Sequence, residues 1–349
     1  MSLSSASSLA AVDAAAYAYE PVPASAPIIA AAPIVTTVHG EAVVHLQPKY
    51  GSAAVDAAVR YFWHGAAGAP TVIVQGGISA TRKVCSVGDA AGWWDDLVGR
   101  GAAIDLERCR VLSIDWLAAA DLDGVCAVSS EDQADALAAL LDLLGIVRVR
   151  AFVGSSYGAM VGLAFAARHA DRLGRLVAIS GAHRAHPLAT ALRAIQREIV
   201  RGGIERGDVD GALALARQLA MTTYRGADEF AERFDAAPEF RDGRFHFPVE
   251  DYLGAAGRKF VARFDAARYL SLSESIDLHR VDAVQVGVPC DLVAVSSDRL
   301  VPSADLRTLA GELGAAARYH EIDSRYGHDA FLKETGRVSA LVADALSRC

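Results

Sequence analysis

Val149-Arg150-Ala151-Phe152-Val153-Gly154-Ser155-Ser156-Tyr157-Gly158, followed by Ala159 and the run Met160 to His169, decides how this chain folds. Val149 to Val153 is a short, mostly apolar stretch that reads as a buried strand, and Met160 to His169 reads as a helix. Between them, Gly154-Ser155-Ser156-Tyr157-Gly158 forms Gly-x-Ser-x-Gly at a strand-to-helix junction. A side chain on such a turn is held in a strained, exposed conformation, and small residues two before and two after it relieve the crowding. Ser156 also sits near a helix N-terminus, whose free amides and dipole favour developing negative charge. Gly and Ser make ordinary turns as well, and this chain has 30 glycines. The flanking strand and helix are what mark Ser156 as a candidate nucleophile.

The same rhythm extends outward on both sides. Thr71-Val72-Ile73-Val74 reads as a buried strand stopped by Gly76-Gly77, and Arg110 to Asp115 as a second. Ser130-Glu131-Asp132-Gln133 opens a helix, with Ser130 expected as its cap and Gln133 at the capping-box position, and Gly145 ends it. Leu176 to Ile179 is a further strand, and Cys290 to Val295, Ser303 to Leu313, Tyr319 to Ile322 and Phe331 to Ala345 continue the strand–helix alternation. Such alternation implies an α/β fold, a mostly parallel sheet with right-handed crossovers and helices on both faces. Val43 to Leu46 and Val55 to Trp63 lead into it as an antiparallel hairpin. Between about 187 and 278 the rhythm stops. Thr190 to Arg201, Gly211 to Met221, Ala227 to Phe234 and Tyr252 to Asp265 read as successive helices, so an all-helical lid is expected to interrupt a core made of 34–186 and 279–349. Residues 1–33, rich in Ala, Ser and Pro, read as a mobile extension.

Composition narrows the function. With 349 residues, 52% of them hydrophobic, the chain has material for a large core. Asp and Glu outnumber Lys and Arg by 42 to 34, a formal charge of −8, which gives no electrostatic reason to expect nucleic acid as a partner. The five cysteines contain no C-x-x-C pair, and neither a disulfide framework nor a metal site is indicated. No apolar run reaches the ~20 residues of a membrane span, and Met1 to Ala26 lacks the basic start of a secretory signal. A cytoplasmic protein acting on small molecules, with no membrane partner and no bound cofactor, is the expectation.

A serine is a weak nucleophile until a base takes its proton, and that base needs an orienting acid. Asp298, in Ser297-Asp298-Arg299-Leu300-Val301-Pro302, follows the strand ending at Val295. His328, in Tyr326-Gly327-His328-Asp329, follows the strand ending at Ile322. The order Ser, Asp, His and the placement of all three after strand ends match the α/β-hydrolase fold. His183 and His186 also follow a strand but lack an acid in that order. An oxyanion formed at Ser156 would need fixed donors; the backbone amides of Tyr157 and of Gly77, in Gln75-Gly76-Gly77-Ile78, are the candidates.

These residues, with several longer segments, resemble the homoserine O-acyltransferases of the α/β-hydrolase superfamily. The matching pieces are Gly92-Trp93-Trp94-Asp95-Asp96-Leu97-Val98-Gly99, Ala103-Ile104-Asp105, the turn at Ser156, Leu215 to Met221 with Thr223-Tyr224-Arg225, Phe264-Asp265, Tyr269-Leu270, and Gly327-His328-Asp329-Ala330-Phe331-Leu332. The likeness runs from about Val55 to the C-terminus. It implies an acyl group passing from acyl-CoA, as co-substrate, to Ser156 and then to the hydroxyl of homoserine, in methionine biosynthesis. It maps acid and base onto Asp298 and His328, suggests that Arg225 and Tyr224 grip the amino acid and that Asp329 meets its ammonium or hydroxyl end, and suggests a homodimer. A guanidinium fork at Arg225 does suit a carboxylate. Departures lie beside the reacting centre: Tyr157 and Gly158-Ala159 stand where the family commonly has Met-Gly-Gly, and Gln75-Gly76-Gly77-Ile78-Ser79 differs from the usual His-Ala-Leu-Thr-Gly. Donor and acceptor therefore stay open. A succinyl carboxylate would want a cation such as Arg82, Arg184 or Arg193, and another hydroxyl acceptor or water could take the acyl group through the same three residues.

Overall fold

In the third strand Val72 and Val74 point to one side of the sheet and Ile73 to the other, and all three are fully buried. The same alternation divides Phe152 from Ala151 and Val153, and Leu176 and Ala178 from Val177 and Ile179. A period of two with both sides apolar is the signature of strands covered by helices on each face. The computed structural model describes residues 35–349, so the extension expected over 1–33 lies outside the described residues.

In chain order the elements are β1 (Val35–Leu46), β2 (Val55–Ala66), β3 (Thr71–Gln75), β4 (Val98–Gly99), β5 (Ile104–Asp105), β6 (Arg110–Ile114), α1 (Ser130–Leu143), β7 (Ala151–Ser155), α2 (Tyr157–Arg168) and β8 (Leu176–Ile179). They continue with α3 (Pro187–Arg206), α4 (Val209–Tyr224), α5 (Ala227–Phe234), β9 (Glu239–Arg241), β10 (Arg244–His246), α6 (Pro248–Val261), α7 (Ala266–Leu278), β11 (Cys290–Val295), α8 (Ser303–Leu313), β12 (Ala317–Ile322), α9 (Ala330–Lys333) and α10 (Thr335–Ser347). The main sheet has the order β1-β2-β6-β3-β7-β8-β11-β12. Its strands from β6 to β12 run parallel, and the β1–β2 hairpin joins antiparallel at β6. This is the α/β sheet expected from the sequence, and its parallel strands all end at one edge.

Three expectations need correction. The lid is not all-helical: β9 and β10 pair as a small exposed hairpin inside it. Its two-residue loop is Asp242-Gly243, both at positive φ, the backbone that a tight hairpin turn requires. The helix expected over Tyr252 to Asp265 is instead α6 ending at Val261 and α7 beginning at Ala266. The break comes at Asp265, whose carboxylate accepts from the Arg268 amide at 2.8 Å and caps α7. Finally, α1 is capped by Ser129 rather than Ser130. Ser129 Oγ accepts from Asp132 N, and the Asp132 carboxylate accepts in return from Ser129 N at 2.7 Å. An ionised acceptor makes the stronger reciprocal bond, which frees Ser130 to meet His279 Nδ1 at 2.6 Å and Gln133 to bind the backbone of Leu117.

Candidate active site

Ser156 stands between β7 and α2 at φ 54°, ψ −119°, a conformation costing a side-chain-bearing residue about 1–3 kcal/mol. The neighbours that hold it there leave no room for larger residues. A Cβ at Gly158 would lie 2.2 Å from the carbonyl oxygen of Gln75, and one at Gly154 would lie 2.3 Å from that of Gly158. Close approach lets the Gly158 amide donate to the Gly76 carbonyl at 3.0 Å, which ties the turn at Ser156 to the loop after β3.

Parallel strands bring the other two residues to the same edge. Asp298 follows β11, and its Oδ1 accepts from the amides of Leu300 (2.9 Å) and Val301 (3.0 Å). Its Oδ2 accepts from Nδ1 of His328, after β12, at 2.7 Å. With Nδ1 donating, Nε2 of His328 is left to accept, and Ser156 Oγ lies 2.8 Å from it. Asp298 and His328 are both buried. Burial disfavours the imidazolium, but the charge and hydrogen bond of Asp298, with Asp329 adding, outweigh it and raise the His328 pKa above its ordinary 6.5. Three residues spread over 172 positions of sequence thus form one hydrogen-bonded chain from acid to base to hydroxyl, able to take a proton from Ser156 as it attacks a carbonyl.

Both candidate oxyanion donors border Ser156. Tyr157 opens α2, so its amide has no acceptor within the helix. Gly77 sits so near that a Cβ there would lie 3.8 Å from Ser156 Oγ. The Gly77 loop is fixed through its carbonyl, which accepts from Trp116 Nε1 at 3.1 Å and from the Ala80 amide at 3.0 Å. Beneath it, Gln75 is buried, with Oε1 accepting from Ser113 Oγ and the Ile114 amide. The Tyr157 side chain is buried and borders the cavity. It packs edge-on against Trp116, its hydroxyl meets Ser275 Oγ at 2.6 Å, and burial pushes its pKa well above the usual phenol range.

The cavity beside Ser156 and His328 is walled by the lid, with Tyr224, Arg193, Gln196 and Tyr269 among its lining. It is narrow, about 40 Å³. A water occupies roughly 10–15 Å³ on this measure, so the space suits a short chain. Of the residues suggested as amino-acid contacts, only Tyr224 lines the cavity, its ring 5.9 Å from that of His328. Arg225 and Asp329 lie just outside, paired with each other at 3.5 Å, and Arg225 also faces Glu229 at 3.4 Å. Burial raises the Asp329 pKa against the pull of Arg225 and His328. His183 is not in the cavity; His186 is, and its Nδ1 caps α3. Arg82 is committed to Asp115 and Arg184 lies in a different cleft, whereas Arg193 reaches the cavity. Gln196, Ser275 and Trp116 were not legible as site residues, since nothing in their spacing sets them apart from ordinary helix and loop positions; Tyr269 stood in a segment that carries the family likeness, but without a role. No group of His, Cys, Asp and Glu able to hold a metal occurs among the described residues.

Residues 70–335 match the family model described as the alpha/beta hydrolase fold. The chain is 51% identical over 312 residues to a homoserine O-succinyltransferase of Xanthomonas campestris, covering 88% of this chain and 84% of that protein. It belongs to the homoserine O-acyltransferase family. A serine O-succinyltransferase of Litchfieldella anticariensis is 34% identical, covering 73% of this chain and 82% of that protein. Among solved structures, a homoserine O-acetyltransferase from Bacillus anthracis superimposes with a TM-score of 0.79 at 17% identity, over 90% of this chain and 98% of that one, a likeness of fold. The Ser–His–Asp chain described above thus lies in a family whose members carry different acyl groups and use different hydroxyl acceptors.

Proposed function

We propose that this protein transfers a succinyl group from succinyl-CoA to the hydroxyl of L-homoserine through an acyl-enzyme on Ser156, in methionine biosynthesis. Ser156 Oγ attacks the thioester carbonyl while His328 Nε2 takes its proton. The resulting oxyanion is held by the amides of Tyr157 and Gly77, and its collapse expels the CoA sulfur, which receives the proton from His328. Homoserine then enters, its hydroxyl gives a proton to His328 and attacks the acyl-serine, and collapse returns the proton to Ser156 Oγ. The hydrogen-bonded chain from Ser156 through His328 to Asp298, at 2.8 and 2.7 Å, carries this reading.

The choice of succinyl rests on Arg193. Its Nε and Nη2 both meet Asp277 Oδ1, at 2.8 and 2.5 Å, while Arg197 holds Oδ2 of the same carboxylate at 2.6 Å. Two guanidinium groups sharing one carboxylate leave net positive charge beside a short cavity, which suits an acyl chain ending in a carboxylate. The 51% identical succinyltransferase supports the same choice. Mass spectrometry of products formed from succinyl-CoA or acetyl-CoA, with homoserine, with serine and with neither, tests it. O-Succinylhomoserine as the preferred product is expected; free succinate released at a rate indifferent to homoserine would reject the transferase.

A further inference from the structure

Gly76 and Gly77 lack side chains, so nothing in their own covalent structure fixes the direction of the Gly77 amide. Its direction is set from outside. The peptide plane that carries the Gly77 N–H is held at its other end, where the Gly76 carbonyl accepts from the Gly158 amide at 3.0 Å. The next plane is held where the Gly77 carbonyl accepts from Trp116 Nε1 at 3.1 Å and from the Ala80 amide at 3.0 Å. Tyr157, whose amide is the second oxyanion candidate, meets the same indole: the two rings lie 4.9 Å apart, edge-on at 72°. A single buried side chain, that of Trp116, thus touches both residues that would supply the donors.

Trp116 can brace them because its own place is over-determined. On one side the Asp115 amide donates to the Arg60 carbonyl of β2 at 3.0 Å, and the Asp115 carboxylate accepts from the Arg82 amide at 2.8 Å. On the other, the Gln133 side chain of α1 donates to the Leu117 carbonyl at 2.7 Å and accepts from the Leu117 amide at 3.0 Å. The Trp116 carbonyl itself accepts from the Arg268 guanidinium of α7, and three residues on the Ala119 amide donates to Ser271 Oγ of the same helix at 2.9 Å. A strand, a core helix and a lid helix grip the segment around the indole, whereas the glycine loop it holds has no such anchors of its own.

We propose that Trp116 is a positioning residue for the oxyanion, aiming the Gly77 amide through its N–H and the Tyr157 amide through its ring. This rests on the acyl-enzyme reading above and adds what fixes the two donors before charge develops. Preorganised donors act on charge that appears only in the tetrahedral intermediate. Loosening them is therefore felt when the oxyanion forms and not when the donor first binds.

The test uses the full-length protein in two forms: Trp116→Phe, which keeps an aromatic ring and loses the N–H, and a form with 3-benzothienylalanine at position 116, which keeps the bicyclic shape and also lacks the N–H. In both, the Gly77 carbonyl retains the Ala80 amide, so no buried acceptor is left bare. The probe is 5,5,5-trifluoro-4-oxopentanoate, a ketone with the succinyl skeleton. Ser156 Oγ bonds to its ketone carbon, the serine proton passes to His328 Nε2, and the carbonyl electron pair moves to the oxygen, which becomes the oxyanion. Inhibition by the ketone, the single-turnover rate of Ser156 succinylation by succinyl-CoA, and the affinity for CoA are measured. The expected result in both forms is ketone binding weakened and succinylation slowed, each by about tenfold or more, with CoA affinity changed by less than about twofold. The acid midpoint of kcat/KM is expected to stay in place, because His328 and Asp298 are untouched. Wild-type ketone binding and succinylation in the benzothienylalanine protein would overturn the role of the N–H. Ketone and CoA binding weakened by equal factors would overturn it too, because the damage would then be general. A wild-type protein that is not succinylated on Ser156 would overturn the acyl-enzyme reading, and the role of Trp116 with it.

Discussion

Gly327 and Arg225 meet backbone to backbone: a Cβ on Gly327 would lie 2.8 Å from the carbonyl carbon of Arg225, and Gly327 itself is held at φ 61°. The lid segment between α4 and α5 is therefore pressed against the loop that carries the catalytic histidine, one residue before it. Gly226 returns the contact, since a Cβ there would lie 2.1 Å from the carbonyl oxygen of Arg325. Lid and base are positioned as one unit. Gly327→Ala combines a disfavoured φ with this clash and is expected to destabilise the fold by about 1–3 kcal/mol and to lower kcat by displacing His328. Denaturant unfolding together with steady-state kinetics checks it. A variant with wild-type stability and kcat would mean that the lid does not brace the base.

The pH profile follows from the raised pKa of His328. His328 must be neutral to take the Ser156 proton, so protonation inactivates the enzyme, and a pKa above 6.5 keeps the inactive form populated to higher pH than an ordinary histidine would. The acid limb of kcat/KM is expected to have its midpoint above 6.5 and to fall with slope one. A midpoint below 6.5 would contradict the balance of burial and Asp298 charge described here.

Asp298→Asn tests orientation. The asparagine side chain keeps the shape of the loop, but its amide can present a donor to Nδ1 and turn the imidazole to the wrong tautomer. A loss of about 10³–10⁴ in kcat is expected, with little change in substrate binding. Single-turnover acylation kinetics measure it, and a loss under tenfold would remove Asp298 from the role.

Arg193→Leu tests donor choice. Charged hydrogen bonds contribute about 1.5–3 kcal/mol, so the ratio of kcat/KM for succinyl-CoA over acetyl-CoA is expected to fall roughly 10- to 100-fold. Because Arg197 still holds Asp277, that carboxylate is not left unpaired. An unchanged ratio would place the succinyl carboxylate elsewhere.

What could be read from the chain and what could not divide along physical lines. Ser156 and Asp298 were legible because each follows a buried apolar run, in β7 and β11; β12 before His328 is a polar, half-exposed edge strand whose place in the strand–helix alternation marked it, and a parallel sheet delivers all such ends to one edge. The β9–β10 hairpin was missed because its strands are three residues long and exposed, with Phe240 and Phe245 turned to solvent. Asp242-Gly243 was the signal that would have found it. Ser129 lost to Ser130 because two overlapping capping patterns occupy adjacent positions, and only the partners of Ser130 and Gln133, far along the chain at His279 and nearby at Leu117, decide between them. Trp116 and Ser275 reach the site through loop and lid packing, which leaves no periodic trace. Arg225 and Asp329, mapped from the family likeness as substrate contacts, are here partners of each other beside the cavity rather than part of its lining.

The most direct test is the covalent intermediate itself. Protein mixed with succinyl-CoA in the absence of homoserine, quenched and digested, is expected to carry one succinyl group on the peptide containing Ser156; homoserine added before the quench should remove it, and Ser156→Ala should never acquire it. A succinyl adduct that forms equally well on the Ser156→Ala protein would contradict the account.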